Sequence, residues 1–86
     1  MYYVYVLQSD KDSKFYVGYT ADLEARIKLH NEGKVNSTKN RMLLKLIYYE
    51  ACTNQRDALH REKYLKSAYG KRYIKNRLKG YLNDCE

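Results

Sequence analysis

Two short runs rich in tyrosine and valine, YYVYVLQ at residues 2–8 and FYVGY at 15–19, stand on either side of the polar run Ser9–Lys14. Their composition and period-two alternation predict two strands joined in an antiparallel hairpin. Alternation puts Tyr3, Tyr5 and Leu7 on one face of the first strand and Tyr2, Val4 and Val6 on the other. Gly18 lies inside the second strand, which suggests a bulge there or a close approach by another backbone or a ligand.

The chain contains no proline, so its other breaks are read from glycine and polar clusters. Thr20 can cap a first helix, with Asp22 and Glu24 in its positively polarised first turn. This helix reaches about Asn31, and Gly33 is a natural stop. Residues 34–42 read as a polar, basic loop and 43–50 as a third strand. A second helix is expected from about Asn54 to Ala68, capped by Thr53 or Asn54 and broken by Gly70. A third fills residues 71–82. The order β-β-α-β-α-α describes an α+β fold, a small three-stranded mixed or antiparallel sheet flanked by helices.

At 86 residues, one domain spanning 1–86 is expected. A core this small is thin. The 11 tyrosines are more than it can bury whole, so several should face water or a ligand. The formal net charge of +7 favours a polyanionic partner. The excess is concentrated late. Residues 1–54 carry eight basic and six acidic side chains, and residues 55–86 carry nine and four. Cys52 and Cys85 lack metal-type or redox-type spacing and read as small hydrophobes. No signal-peptide pattern and no run approaching the ~20 residues of a membrane span are visible, so a cytoplasmic protein without a membrane partner is expected.

Several polar side chains fall where apolar ones belong. On a helical wheel, Leu23 and Ile27 mark the core stripe of the first helix, and Arg26 and His30 lie together on its flank. They could be packing residues or could converge on a ligand. Ala58, Leu65 and Tyr69 define the apolar face of the second helix, with Glu62 inside that arc and His60 pointing away. A carboxylate on such a face needs an ion-pair partner, with Arg26 the obvious one, or a metal ion. From Arg61 to Lys79 there are eight basic residues and one acid, interleaved with Tyr64, Tyr69 and Tyr73. That pattern suits either a solvated face or a phosphate-tracking surface with stacking rings.

Together these residues resemble the GIY-YIG nuclease superfamily. YVY at Tyr3–Tyr5 and YVG at Tyr16–Gly18 look like its two half-motifs. DLEARIKLHNEG from Asp22 holds the expected helical Arg and following His, and DALHREKYLK holds the expected acid as Glu62. The resemblance runs from about Tyr2 to Lys66 and is nearest the short stand-alone bacterial members. The first half-motif lacks its glycine. An Asn commonly follows the catalytic Glu in the superfamily, and Asn76 matches it only by rough spacing.

The resemblance implies in-line attack of water on a phosphodiester at a site made by Tyr5, Tyr16, Arg26, His30 and Glu62. Tyr5 would be the general base, a role that needs help because an isolated tyrosine titrates near pH 10. Tyr16, side by side with Tyr5, would orient the phosphate or the water. Arg26 would stabilise the charge on the phosphate oxygens, and His30 would carry a proton or touch the phosphate. Glu62 would hold Mg²⁺ or Mn²⁺. Tyr5, Tyr16, Arg26 and Glu62 are expected to converge on one concave face of the sheet. Lys66, Lys71, Arg72, Lys75 and Asn76 are expected to hold the nucleic acid, DNA more than RNA, with structure preferred over sequence. The basic loop Lys34–Arg41 is the fallback surface, and a monomer is the default state. The other reading is a nucleic-acid-binding or accessory module that keeps the fold with little activity.

Overall fold

The hairpin forms as its alternation predicts. In the structure, a computed structural model that describes residues 1–35, 38 and 44–84, β1 (Tyr2–Ser9) and β2 (Phe15–Thr20) pair antiparallel. The turn is closed by Ser9 N donating to Lys14 O (3.1 Å) and Ser13 N donating to Ser9 O (2.8 Å). Next come α1 (Leu23–Asn31), β3 (Leu44–Cys52), α2 (Gln55–Leu65), α3 (Ala68–Arg77) and α4 (Lys79–Asp84). β3 pairs antiparallel with β1, so the order is β2-β1-β3 and β2 is an edge.

The two faces of β1 are both buried, as its dense apolar content requires. Val4 and Val6 pack with Ala58, Leu65 and Ile74 of α2 and α3. Tyr5 and Leu7 pack with Leu44, against Tyr16, Leu23, Ile27 and Leu46 on the α1 side. Burying each large aliphatic side chain contributes roughly 1.5–3 kcal/mol, so the inner strand carries much of the fold's stability. Cys52 belongs to the first cluster as a small hydrophobe, whereas Cys85 lies outside the described residues. Among the described residues no helix is long and apolar enough to cross a membrane.

The caps differ in part from expectation. Asp22, not Thr20, caps α1, its carboxylate accepting from Ala25 N, while the Thr20 hydroxyl accepts from Asp22 N one step earlier. Asn54 caps α2 through the amides of Arg56 and Asp57. Gly33 takes the left-handed φ of 74° that ends α1. Of the basic loop at 34–42, Lys34, Val35 and Thr38 are described and the rest lies outside the described residues.

Gly70 does not break the second helix. α2 ends at Leu65, and Ser67 starts α3, its hydroxyl accepting from Gly70 N at 3.2 Å. The serine hydroxyl satisfies an amide that the first turn of the new helix would otherwise leave free. Tyr69 therefore leaves the apolar face of α2 and is 69% exposed on α3. The helix expected over 71–82 is two, parting at Leu78. α4 is tied to β1 by the Tyr81 hydroxyl, which donates to Gln8 Oε1 at 2.7 Å.

Arg61 also departs from its expected place on a phosphate-tracking surface. Its guanidinium forks onto Glu50 of β3, Nε to Oε1 at 2.8 Å and Nη2 to Oε2 at 2.9 Å. It also lies over the rings of Tyr64 (5.2 Å) and Tyr73 (4.7 Å). Tyr48 donates to the same carboxylate at 2.7 Å. The Arg61 fork holds the Glu50 carboxyl below the usual carboxylate range, and burial, then donation to Glu50, pushes the Tyr48 phenol up. Arg61 thus joins α2 to β3, its planar fork meeting the Glu50 carboxylate with two hydrogen bonds.

A β-carbon at Gly70 would collide with the Tyr64 carbonyl and the Leu65 backbone. Helix propensity alone favours alanine over glycine by about 1 kcal/mol. The collision outweighs that, and Gly70→Ala should destabilise the protein by roughly 1–3 kcal/mol in chemical denaturation. A stabilised variant would show that the α2–α3 turn can open without cost.

Candidate active site

Gly18 stands directly opposite Tyr5 in the β1–β2 register, and that pairing builds the site. The register there is regular, so Gly18 marks a close approach and not a bulge. A β-carbon at Gly18 would fall into the Tyr5 ring. Without one, the phenol of the central strand lies across the edge strand and its hydroxyl reaches α1. Tyr5 is 2% exposed. Its oxygen is 2.8 Å from His30 Nε2 and accepts from Arg26 Nε at 3.4 Å. The i, i+4 spacing of Arg26 and His30 presents both side chains of α1 to that one atom.

His30 is buried too, at 4% exposure. Its Nδ1 is 2.7 Å from Thr38 Oγ1, and Thr38 is 1% exposed. Among the described residues, no buried side-chain nitrogen or oxygen lacks a partner. Burial first, and the nearby Arg26 charge second, lower the proton affinity of His30 below the ordinary imidazole value of 6.5.

Along the β2 edge runs a cavity of about 410 Å³ lined by Tyr5, Tyr16, Arg26, His30, Thr38, Glu62, Lys66 and Lys71 among others. Phe15, Val17 and Tyr19 also line it, and these belong to the cluster on the opposite face from Tyr5 and Tyr16. The expected convergence on one face is therefore a convergence around an open edge. Tyr16 stands opposite Leu7, so it lies diagonally from Tyr5 on the same face and not directly beside it.

Glu62 does not pair with Arg26. Its carboxylate is 3.2 Å from Lys66 Nζ, one turn on, with 21% of its side chain exposed and 56% of that of Lys66. Such a part-exposed i, i+4 pair is worth on the order of 0.5 kcal/mol, too little to make Glu62 a strut of the core. Among the described residues no three His, Cys, Asp or Glu side chains cluster as a metal cage. A single carboxylate on an open cavity instead suits Mg²⁺, which keeps most of its waters and takes one or two carboxylates plus phosphate oxygens.

Of the residues expected to hold nucleic acid, Lys66 and Lys71 line the cavity. Arg72 lies with its guanidinium 5.8 Å from the exposed Tyr69 ring, and Lys75 and Asn76 are exposed on α3 outside the cavity wall. Sequence reasoning missed Thr38, for a lone threonine in a polar loop carries no signal. It also missed that Lys66 neutralises Glu62, although their four-residue spacing held that information.

The imidazole environment fixes a pH response. Tyr5 and Thr38 touch His30, Arg26 acts on it by charge, and Tyr16, Glu62, Lys66 and Lys71 line the same cavity. Because the folded state binds the His30 proton less readily than the unfolded chain, this group's stabilising contribution is complete above about pH 6.5 and is lost as pH falls. An NMR titration should place the His30 midpoint below 6.5. A midpoint at or above that value would mean that the ring is solvated or paired with an acid.

The sequence matches the GIY-YIG catalytic domain over residues 1–79. A UPF0213 protein of Clostridium perfringens is 46% identical over 67 residues, covering 77% of this chain and 71% of that one. Another, from Bacillus licheniformis, is 40% identical over 80 residues, covering 88% and 81%. The solution NMR structure of a UPF0213 protein from Bacillus halodurans matches with a TM-score of 0.54 and 33% identity, over 86% of this chain and 82% of that one. Its antiparallel sheet with flanking helices is the arrangement described above. The GIY-YIG domain supports endonuclease activity in general and with it a nucleic-acid substrate. With its tyrosine-bearing hairpin, helical Arg and His, and second-helix Glu, the chain belongs to the UPF0213 proteins, small stand-alone members of the GIY-YIG family.

Proposed function

We propose that the protein is a divalent-metal-dependent endonuclease that hydrolyses phosphodiester bonds, of DNA more than RNA, by structure more than by sequence. The observation that carries this reading is the Tyr5 hydroxyl, held between His30 Nε2 and Arg26 Nε at the wall of a cavity that also contains Glu62. A purely structural tyrosine needs one partner for its hydroxyl. Here it has a base and a cation, the two groups that favour loss of its proton.

Tyr5 gives its proton to His30 Nε2, and the electron pair of the broken O–H bond stays on the phenol oxygen. Arg26 stabilises that negative oxygen by its charge. The phenolate then takes a proton from the attacking water. Burial and Arg26 keep His30 neutral at physiological pH, so one ring nitrogen has a lone pair free to accept the phenol's hydrogen bond. Tyr16, further along the same face, orients the phosphate or the water. Arg26 also faces the cavity, where it offsets charge on the phosphate oxygens as the water adds. Glu62 would hold Mg²⁺ or Mn²⁺, which when bound supplies Lewis-acid charge to the scissile phosphate. Lys66 and Lys71 attract the polyanion to the edge. Weak sequence preference follows because contacts of this kind read phosphate and not base edges.

Labelled DNA and RNA of varied structure, incubated with Mg²⁺ or Mn²⁺, test this reading. Wild type should cleave only with metal. Tyr5→Phe should lower the rate by roughly 10²–10⁴-fold, the range for losing a general base. Glu62→Gln should abolish cleavage yet change stability by less than about 0.5 kcal/mol, because its ion pair is a single part-exposed i, i+4 contact. Equal activity in Tyr5→Phe would overturn the assigned base. Tight binding without any cleavage would replace the enzyme by a binding module.

A further inference from the structure

The imidazole of His30 can serve Tyr5 only if Nε2 is free of its proton, and the reading of His30 as proton acceptor rests on that. A neutral imidazole carries one proton, and the partner of one nitrogen decides which atom holds it. Arg26 Nε can only donate to the Tyr5 oxygen, so the phenol's own proton has to point elsewhere. His30 Nε2, 2.8 Å away, is the acceptor that the geometry offers. The remaining proton of the ring then sits on Nδ1, facing Thr38 Oγ1 at 2.7 Å.

We propose that Thr38 is the positioning residue of this site: its hydroxyl accepts from His30 Nδ1–H, holds the ring in the Nδ1–H tautomer and so presents a bare Nε2 to Tyr5. Tyr5, His30 and Thr38 are each at most 4% exposed, so these contacts are made within the wall of the cavity and not out in bulk solvent. Thr38 Oγ1 can accept from Nδ1–H in the neutral ring and in the imidazolium alike, so the proton moves without a change of hydrogen-bond partner. A hydroxyl also differs from a carboxylate in this place. It orients the ring without adding negative charge, so His30 keeps the low proton affinity that burial and Arg26 impose. The titratable and charged groups that line the same cavity from other elements are Tyr5, Tyr16 and Tyr19 of the hairpin, Glu62 of α2, Lys66 at its C-cap and Lys71 of α3, with Arg26 on α1.

The test uses the full chain without metal or nucleic acid, so it stands even if the protein cleaves nothing. Long-range ¹H–¹⁵N spectra of the imidazole nitrogens at neutral pH distinguish the two tautomers. Wild type and Thr38→Ser should show His30 protonated at Nδ1. Thr38→Val, which removes the acceptor and keeps the shape, should shift His30 toward the Nε2–H form that free histidine favours. Where cleavage is measurable, Thr38→Val should lower it roughly 10–100-fold, the range found when metal-binding histidines lose their outer partner, and Thr38→Ser should restore it. An Nε2–H tautomer in wild type would overturn the proposal whether or not Thr38→Val folds. An unchanged Nδ1–H tautomer in folded Thr38→Val would do the same. Intact positioning with no cleavage would instead count against the nuclease reading and leave the Thr38 assignment standing.

Discussion

The hydrogen bond between Tyr5 and His30 joins β1, the inner strand among the described residues, to α1. Its 2.8 Å length depends on a missing atom, because any β-carbon at Gly18 would push the phenol off the edge strand. A neutral buried hydrogen bond contributes only about 0.5–1.5 kcal/mol net, but leaving either partner unsatisfied costs more. The pairing of Tyr5 with Gly18 in register, the spacing of Arg26 and His30 on α1 and the burial of Thr38 all serve to make that bond and close it off. The same burial lowers the proton affinity of the imidazole, so packing and chemistry are set by one arrangement.

The other half of the site follows from how α2 and α3 meet. The bare backbone at Gly70 lets the start of α3 approach the last turn of α2. That places Lys71 beside the cavity to which α2 contributes Glu62 and Leu65 and its C-cap contributes Lys66. Arg61, anchored on Glu50, fixes α2 to β3 on the far side of the same helix bundle. The positive charge of this chain therefore divides by function. Arg61 holds the fold, Arg26 acts on a phenol, and Lys66 and Lys71 stay at the mouth of the cavity.

Much of this was legible in the sequence. The hairpin, its faces and the four-residue step from Arg26 to His30 follow from periodicity, because strands and helices repeat at fixed intervals. The match of half-motifs, Arg, His and Glu62 named the family before any coordinates. What was hidden depends on contacts between segments far apart. Gly70 looked like a break because glycine disfavours helices, yet its role is set by the backbone of the preceding helix. Arg61 looked like part of a basic stripe until Glu50, eleven residues earlier, was seen to hold it. Tyr69 lost its assigned face once Ser67 restarted the helix. Thr38 could not be read at all, since nothing local distinguishes a threonine that accepts from a buried histidine.

The central claim is that nucleic acid is engaged at the β2 edge, where Tyr5, Arg26 and His30 meet. A second hollow, lined by Tyr3, Asp22, Leu23, Glu24, Ile27, Leu46 and Tyr49, offers a different surface with two acidic side chains. NMR shift mapping with a short DNA oligonucleotide, in chelator so that no metal-dependent cleavage can occur, compares the two directly. The account predicts that the largest changes fall on Tyr16, Gly18, Arg26, His30, Glu62, Lys66 and Lys71. Changes concentrated instead around Tyr3, Leu23 and Tyr49, with the β2 edge unmoved, would contradict it.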